Sequence, residues 1–254
     1  MTGKLTIIGL GPGAPELVTP AAASALAEAT DIVGYGPYVD RVPFREGQRR
    51  HSSDNREELN RSRHALQMTS QGRKVAVVSS GDAGVFAMAA AIFEAVDLGD
   101  RAWRDLEIEV VPGVSAMFAV ASAVGAPLGH DFCAISLSNN LKPWSVILDR
   151  LHAAAKADFV ISLYNAASKT RPDHLAQAFD VFRKYRTGDT PVIFASAVSH
   201  PDQKIDVVSL KDADPSRADM RTLVMIGSSM TSIISRPEKA SWVYTPRFRK
   251  MDLA

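Results

Sequence analysis

"GLGPGAPELVTP" (residues 9–20) follows the apolar run "LTII" (5–8) and precedes an alanine-rich segment that begins at Pro20. A glycine-rich turn between a short β-branched run and a helical pattern marks a strand–loop–helix unit, and the details of the turn decide what it holds. Gly9, Gly11 and Ala14 satisfy the spacing of a dinucleotide-binding turn. Two features oppose that reading. Pro12 removes a backbone N–H beside the glycine where pyrophosphate would sit, and Pro15 disfavours helical geometry at Ala14. Thr19 and Pro20 read as N-cap and first-turn proline, so the helix starts too late to offer its positive end to a phosphate at Gly11. The second strand, in "DIVGYGPY" (31–38), also lacks the acidic residue that grips a ribose. The loop taken by itself is therefore either a plain strand-to-helix connection or one that lets a ligand lie against bare backbone with no phosphate to neutralise.

Outward from this loop the same device repeats. "TDIVGY" (30–35), "KVAVVS" (74–79) and "EIEVV" (107–111) are each followed by glycine and then by a helical pattern, which predicts βαβ units and a parallel sheet. "SSGDAGVF" (79–86) and "VVPGVSA" (110–116) end strands in glycine with a polar neighbour. Three such loops at the carboxyl ends of parallel strands should converge on one crevice, where open α/β sheets bind ligands. The plainer alternative is capping: Ser79 or Asp82 for the helix after "KVAVVS", Ser115 for "AMFAVASAV", and Asp54 or Asn55 for "REELNRSRHALQM". Near "VGAPLG" (124–129) the strand pattern tightens. "FCAISLS" (132–138) and "DFVISLYN" (158–165) flank a helix near 144–155, and "PVIFASAV", "KIDVVSL" and "RTLVMIG" follow with short connections, which predicts a mixed sheet. The expectation is two α/β domains, 1–124 and 125–254, with a cleft between them and a frayed tail, "YTPRFRKMDLA" (244–254).

The chain has 254 residues, 46% hydrophobic and 22% charged, ample for a buried core. A net charge of +1 supplies no global field for nucleic acid or an anionic membrane, so any basic site must be local. Cys133 alone forms no internal disulfide and no cysteine-based zinc site, and in its apolar run it reads as a buried thiol. No run has the length of a signal peptide core or a membrane span, so a soluble, cytoplasmic protein is expected. The basic stretch 44–64 reads mainly as a solvated face.

Taken together, "GLGPGAPELVT", "SSGDAGVF", "VPGVSA", "GAPLGHDF" and "PVIFASAVSHPDQ" resemble, in order, the S-adenosylmethionine-dependent tetrapyrrole methylases of cobalamin and sirohaem synthesis. The likeness runs over roughly residues 4–235. "GYGPYVDRV" (34–42), "SLSNNLKPW" (136–144) and "YNAASKTRP" (164–172) resemble the branch that methylates carbon 17 of precorrin-3B and contracts the ring to precorrin-4. Asn139 and Ala166 depart from that branch, which has an aspartate and a proline there. An amide at 139 takes no proton at neutral pH.

The resemblance implies that S-adenosylmethionine contacts Pro12, Gly81, Asp82, Val85, Ser115 and Ala116, with Tyr164, Asn165, Ala195, Ala197, Thr222 and Leu223 from the second domain. It implies a homodimer, a small-molecule tetrapyrrole substrate and no metal. Methyl transfer demands in-line approach and exclusion of water more than acid–base help. Ring contraction requires loss of a hydroxyl proton, for which Asp82, His130 and Asp131 are candidates, Asp82 first and the base unassigned. The substrate's carboxylates ask for cations: Lys169 and Arg171, with Tyr35, Tyr38 and Arg41 offering a flat face and a charge. Competing readings are a carbon-11 or carbon-20 methyltransferase, a nicotinamide-dependent oxidoreductase and a non-catalytic tetrapyrrole carrier.

Overall fold

The β-branched runs that end in glycine become the central strands of a parallel sheet. In the computed structural model, which describes residues 3–54 and 57–248, the chain divides into two compact units, Met1–Ala116 and Met117–Ala254. The division falls ahead of the 124/125 boundary expected from the sequence, because the helix after "VPGVS" groups with the second unit. The first unit alternates β1 (Lys4–Gly9), α1 (Pro20–Glu28), β2 (Asp31–Tyr35), α2 (Gly36–Val39), β3 (Arg49–Ser53), α3 (Glu58–Ser70), β4 (Lys74–Ser79), α4 (Met88–Leu98) and β5 (Glu107–Val111). Its sheet has the order β3-β2-β4-β1-β5 with every pair parallel.

Strand periodicity sorts the core onto two faces. Leu5, Ile7, Val75 and Val77 pack with Leu66, Met88 and Ile92 from α3 and α4. Ile8, Ile32, Ala76 and Val78 pack with Ala22 and Leu26 from α1. Thr19 caps α1 as expected, its hydroxyl accepting the Ala22 N–H at 3.1 Å. The cap expected at Asp54 or Asn55 differs: α3 begins at Glu58 with Glu57 in the capping position, and Asn55 lies outside the described residues.

The basic stretch 44–64 is less solvated than its composition suggests. Arg49–Ser53 is the edge strand β3. Arg50 turns inward to the carbonyls of Val39 and Val42. Arg61 is buried, donating to Ser53 Oγ, to Met88 Sδ and to the Asp54 carbonyl.

In the second unit run α5 (Ala116–Val124), β6 (Gly125–Ala126), β7 (Phe132–Ser136), α6 (Trp144–Lys156), β8 (Val160–Tyr164), α7 (His174–Arg183), β9 (Pro191–Ser196), β10 (Lys204–Ser209), β11 (Thr222–Ile226), β12 (Ser232–Arg236) and β13 (Lys239–Tyr244). The main sheet, β10-β9-β11-β8-β7, is mixed as expected: β7 and β8 run parallel, and the other pairs are antiparallel. Ile147, Leu151, Phe179 and Phe182 from α6 and α7 cover one face of it. A smaller sheet joins β12, β13 and β6. The tail is therefore ordered further than expected. Tyr244 ends β13, and Thr245 is buried with its hydroxyl on the Pro127 carbonyl at 2.6 Å; residues 249–254 lie outside the described residues. Among the described residues no helix is long and apolar enough to cross a membrane.

Candidate functional site

The three glycine-bearing loops of the first unit are tied to one another by backbone. Gly11 and Gly81 exchange N–H···O bonds of 3.1 and 2.8 Å, and Leu10 N–H reaches the Ser79 carbonyl at 2.8 Å. Gly11 adopts φ +67°, and a Cβ on Gly9 would stand 2.6 Å from the Gly113 nitrogen, so side chains at these places would force the loops apart. The third loop is fastened by Asp82. Its Oδ1 accepts the Gly84 N–H at 2.8 Å and its Oδ2 accepts the Gly113 N–H at 3.0 Å. Asp82 thus braces two loops rather than capping α4. Ser79 does the capping, accepting the Met88 N–H at 3.3 Å.

This geometry answers the question raised by residues 9–20. The Gly11 N–H is spent on Gly81, a single 3-10 turn occupies Pro15–Leu17, and α1 starts only at Pro20. The fan of helix-terminal N–H groups that grips a pyrophosphate is therefore displaced from the glycines.

Arg41, just after α2, clamps the same loops. Its Nη2 donates to the carbonyls of Leu10 and Gly11 at 2.9 and 3.0 Å, and its Nη1 to Ser80 Oγ at 3.0 Å. All three acceptors are neutral, so a cation sits beside the loops without a carboxylate partner among the described residues. Burial pulls Arg41 below the usual guanidinium range, with nearby Tyr38 opposing. Burial, assisted by Tyr35, pushes the Tyr38 hydroxyl above the usual phenol range against the pull of Arg41 and Arg61. Tyr38 therefore stays a neutral donor, and its ring meets Tyr35 edge-on at 5.2 Å. Val85 is partly buried in the Asp82 loop, and Ser115 is fully buried one residue ahead of Ala116 and α5.

In the second unit the expected residues gather at one end of the main sheet. The pairings Ser136 with Tyr164, Ser196 with Thr222 and Leu163 with Val224 bring the ends of β7, β8 and β9 beside the start of β11. Tyr164, Asn165, Ala195, Ala197, Thr222 and Leu223 share that end. The Tyr164 hydroxyl accepts the Met117 N–H at 3.2 Å, and Asn165 Nδ2 donates to Ser136 Oγ at 2.8 Å. Asn165 (φ +53°), Ala197 (φ +52°) and Ser199 (φ +65°) all hold left-handed backbone there, a conformation non-glycine residues adopt at a cost. Thr222 is locked by Asp219, to which its hydroxyl donates at 2.6 Å. Arg171 donates from Nη1 to Ser138 Oγ at 3.0 Å, while its Nε is buried without an acceptor among the described residues; burial lowers its pKa. Lys169 on the same loop is exposed. Asn139 is exposed, and Ala166 is buried in the core beneath the loop.

His130 and Asp131 are not brought to this end. They precede β7, at the opposite end of the sheet from Tyr164, where the Asp131 N–H donates to His130 Nδ1 at 2.7 Å and the Asp131 carbonyl extends the ladder to Val160. Sequence reasoning missed Gly113, Ser80, Ser136 and the Met117 N–H as parts of the frame. Gly113 and Ser136 lie inside quoted motifs, but their partners are thirty or so residues away and no local pattern names them.

The family model for Tetrapyrrole (Corrin/Porphyrin) Methylases matches residues 4–214. A precorrin-3B C(17)-methyltransferase of Sinorhizobium sp is 53% identical over 248 residues, 98% of each chain. The cobalamin biosynthesis protein CobIJ of Mycobacterium bovis is 46% identical over 251 residues, 97% of this chain and 48% of that one. The crystal structure of the methyltransferase CobJ superposes with a TM-score of 0.91 at 51% identity, covering 96% of this chain and all of that one. Glycine loops bound to one another without a phosphate cradle, a parallel sheet followed by a mixed one, and a match across most of the sequence lead to one conclusion: the chain belongs to the tetrapyrrole methylases.

Proposed function

We propose that the protein transfers a methyl group from S-adenosylmethionine to carbon 17 of precorrin-3B, with contraction of the ring to precorrin-4, in cobalamin biosynthesis. The observation that carries this reading is the end-to-end likeness to the Sinorhizobium enzyme of that name. Tetrapyrrole methylases use S-adenosylmethionine, which supplies an electrophilic methyl on a positively charged sulfur. The loops fit such a donor, because they present backbone and small side chains where a nucleotide phosphate would need free N–H groups.

In the first unit the cofactor residues are Pro12, Gly81, Asp82, Val85, Ser115 and Ala116; in the second they are Tyr164, Asn165, Ala195, Ala197, Thr222 and Leu223. Their task is to fix the donor in line with the carbon nucleophile and to keep water out. Arg171 and Lys169 take substrate carboxylates. The orphaned Nε of Arg171 and the lack of a counter-ion among the described residues support this, since a partly buried guanidinium gains most from an anionic partner. Arg41 adds charge from behind the loops rather than a free fork, and Tyr35 and Tyr38 stand beside it. Of the three candidate proton acceptors, Asp82 alone stands among the strand-end loops, and its first role is to brace them. The same reading makes the enzyme a cytoplasmic homodimer that needs no metal, points addressed by fractionation, sedimentation velocity and assay in chelator.

The test is incubation with precorrin-3B and methyl-13C-labelled S-adenosylmethionine, with product located by mass spectrometry and NMR. Label at carbon 17 of a contracted ring is expected. Label at carbon 11 or carbon 20 overturns the assignment within the family.

A further inference from the structure

Ring contraction asks for one atom with a free lone pair to take a proton from the substrate. Each oxygen of Asp82 already accepts a backbone N–H, and His130 and Asp131 lie at the far end of their sheet. His174, the first residue of α7, meets the requirement. Its Nδ1 stands 2.9 Å from the Leu137 carbonyl oxygen. A carbonyl only accepts, so Nδ1 carries the proton and the neutral ring keeps its lone pair on Nε2. Among the described residues no group bonds to Nε2. The partly buried ring is also held flat. It stacks on Trp144 with centroids 3.8 Å apart and planes 12° from parallel, and Trp144 Nε1 donates to Gln177 Oε1 at 2.7 Å. A phenylalanine would stack as well; the imidazole adds a hydrogen bond that fixes its rotation and aims the opposite nitrogen.

Leu137 decides where that nitrogen sits. Its N–H donates to the Tyr164 carbonyl at 2.9 Å, one step beyond the pairing of Ser136 with Tyr164, so it extends β7 at the end where Tyr164 and Asn165 gather. The next residue, Ser138, receives Arg171 Nη1 on its hydroxyl at 3.0 Å. Neighbouring residues of one strand end thus anchor an imidazole with an open lone pair and a guanidinium whose Nε has no acceptor among the described residues.

We propose that His174 is a further catalytic residue: its Nε2 accepts the hydroxyl proton that leaves as the ring contracts. The proposal rests on the methyltransferase reading above. In this step the substrate's O–H bond breaks, its electron pair stays on the oxygen, and the proton joins Nε2 to give an imidazolium. Nothing is oxidised or reduced, and the imidazolium returns the proton to water once product has left. Arg171, just upstream, takes a rim carboxylate and so sets the macrocycle against the same strand end.

The test compares wild type with His174→Asn and His174→Ala. Asparagine keeps a side-chain N–H for the Leu137 carbonyl but takes no proton, so it separates holding from catalysis. Four quantities are measured: KM and kcat for contracted product from precorrin-3B, the Kd of S-adenosylhomocysteine by calorimetry, the melting temperature, and the kcat of His174→Ala in added imidazole. Both variants should lose about a hundredfold or more in kcat, with KM and Kd within about threefold. Imidazole should raise the kcat of His174→Ala at least about tenfold and leave wild type unchanged. In wild type, diethyl pyrocarbonate should modify His174, precorrin-3B should protect it, and the modified enzyme should lose contraction while still binding S-adenosylhomocysteine. A kcat within about threefold of wild type in either variant overturns the proposal. So does a loss in folded His174→Ala that imidazole leaves untouched, which would make the ring a structural tie. If neither variant folds, the wild-type modification decides: protection and lost contraction support the proposal, and an unprotected or dispensable His174 overturns it. If wild type leaves precorrin-3B unmethylated, the functional reading itself fails and the proposal falls with it, whereas failure of the proposal alone leaves wild-type turnover intact.

Discussion

Asp82 accepts N–H groups from two loops at once, and that double engagement separates a brace from a base. A base must present a lone pair to the substrate, and its loss cuts only the chemical step. A brace holds Gly113 against Gly81, and its loss disturbs whatever those loops bind. Asparagine at 82 keeps one acceptor oxygen but turns an NH2 toward the N–H of Gly84 or Gly113, leaving a donor facing a donor. Asp82→Asn should therefore lose about 1–3 kcal/mol of stability and bind S-adenosylhomocysteine at least about tenfold more weakly. A thermal melt and a calorimetric titration measure the two. Intact melting temperature and affinity with a collapsed kcat would instead make Asp82 the base. Arg41 acts in the same frame by gripping Leu10, Gly11 and Ser80, which no reading of "GYGPYVDR" alone reveals.

At the scale of elements, β2 and β3 are joined at their edge by charge as well as by the ladder. Asp31 is fully buried at the start of β2, contacting Arg73 and accepting from Thr30 Oγ1 and from His51 of β3, each at 2.8 Å. Burial alone would raise its pKa. The hydrogen bonds from His51 and Thr30 and the charge of Arg73 win, and hold the carboxyl below the usual range. Burial, with the like charges of His51 and Arg73, keeps His64 below the usual imidazole range although Asp31 opposes them. Both groups bind fewer protons folded than unfolded, so each contributes stability that is lost as pH falls, His64 below about 6.5 and Asp31 below about 4. Asp31→Asn should cost about 3 kcal/mol at neutral pH and flatten the decline of melting temperature between about pH 5 and 3. An unchanged acid slope would show that the carboxylate gains nothing from its partners. This edge also shows where the sequence was silent. "RRHSS" has neither alternating apolar residues nor β-branched ones, because an edge strand facing Asp31 and the carbonyls after α2 needs polar side chains. The central strands were legible because burial on both faces writes continuous apolar runs. The hairpin of β12 and β13 was not, since its ladder is completed by Gly125 and Ala126, more than a hundred residues away. In the candidate site the loops were legible as glycine punctuation, whereas the bonds tying one to another are tertiary and leave no local pattern.

For the whole molecule, near-neutrality constrains how an anionic macrocycle is held. A net charge of +1 gives no long-range field to steer a polycarboxylate, so attraction must come from cations at the site itself. Lys169 is exposed, and Arg171 has no carboxylate partner among the described residues. The screening length shrinks from about 10 Å at 0.1 M salt to about 3 Å at 1 M, so the exposed lysine is screened first and the partly buried arginine last. Raising sodium chloride from about 0.05 to about 0.5 M should therefore increase KM for precorrin-3B several-fold, with kcat and S-adenosylhomocysteine affinity within about twofold. Lys169→Gln should remove most of that salt dependence, whereas Arg171→Gln should raise KM at every salt concentration and keep the slope. Steady-state kinetics across a salt series separates the two. A KM indifferent to salt in wild type would mean that apolar contact, not these cations, holds the macrocycle, and the carboxylate assignment of the 165–173 loop would fall.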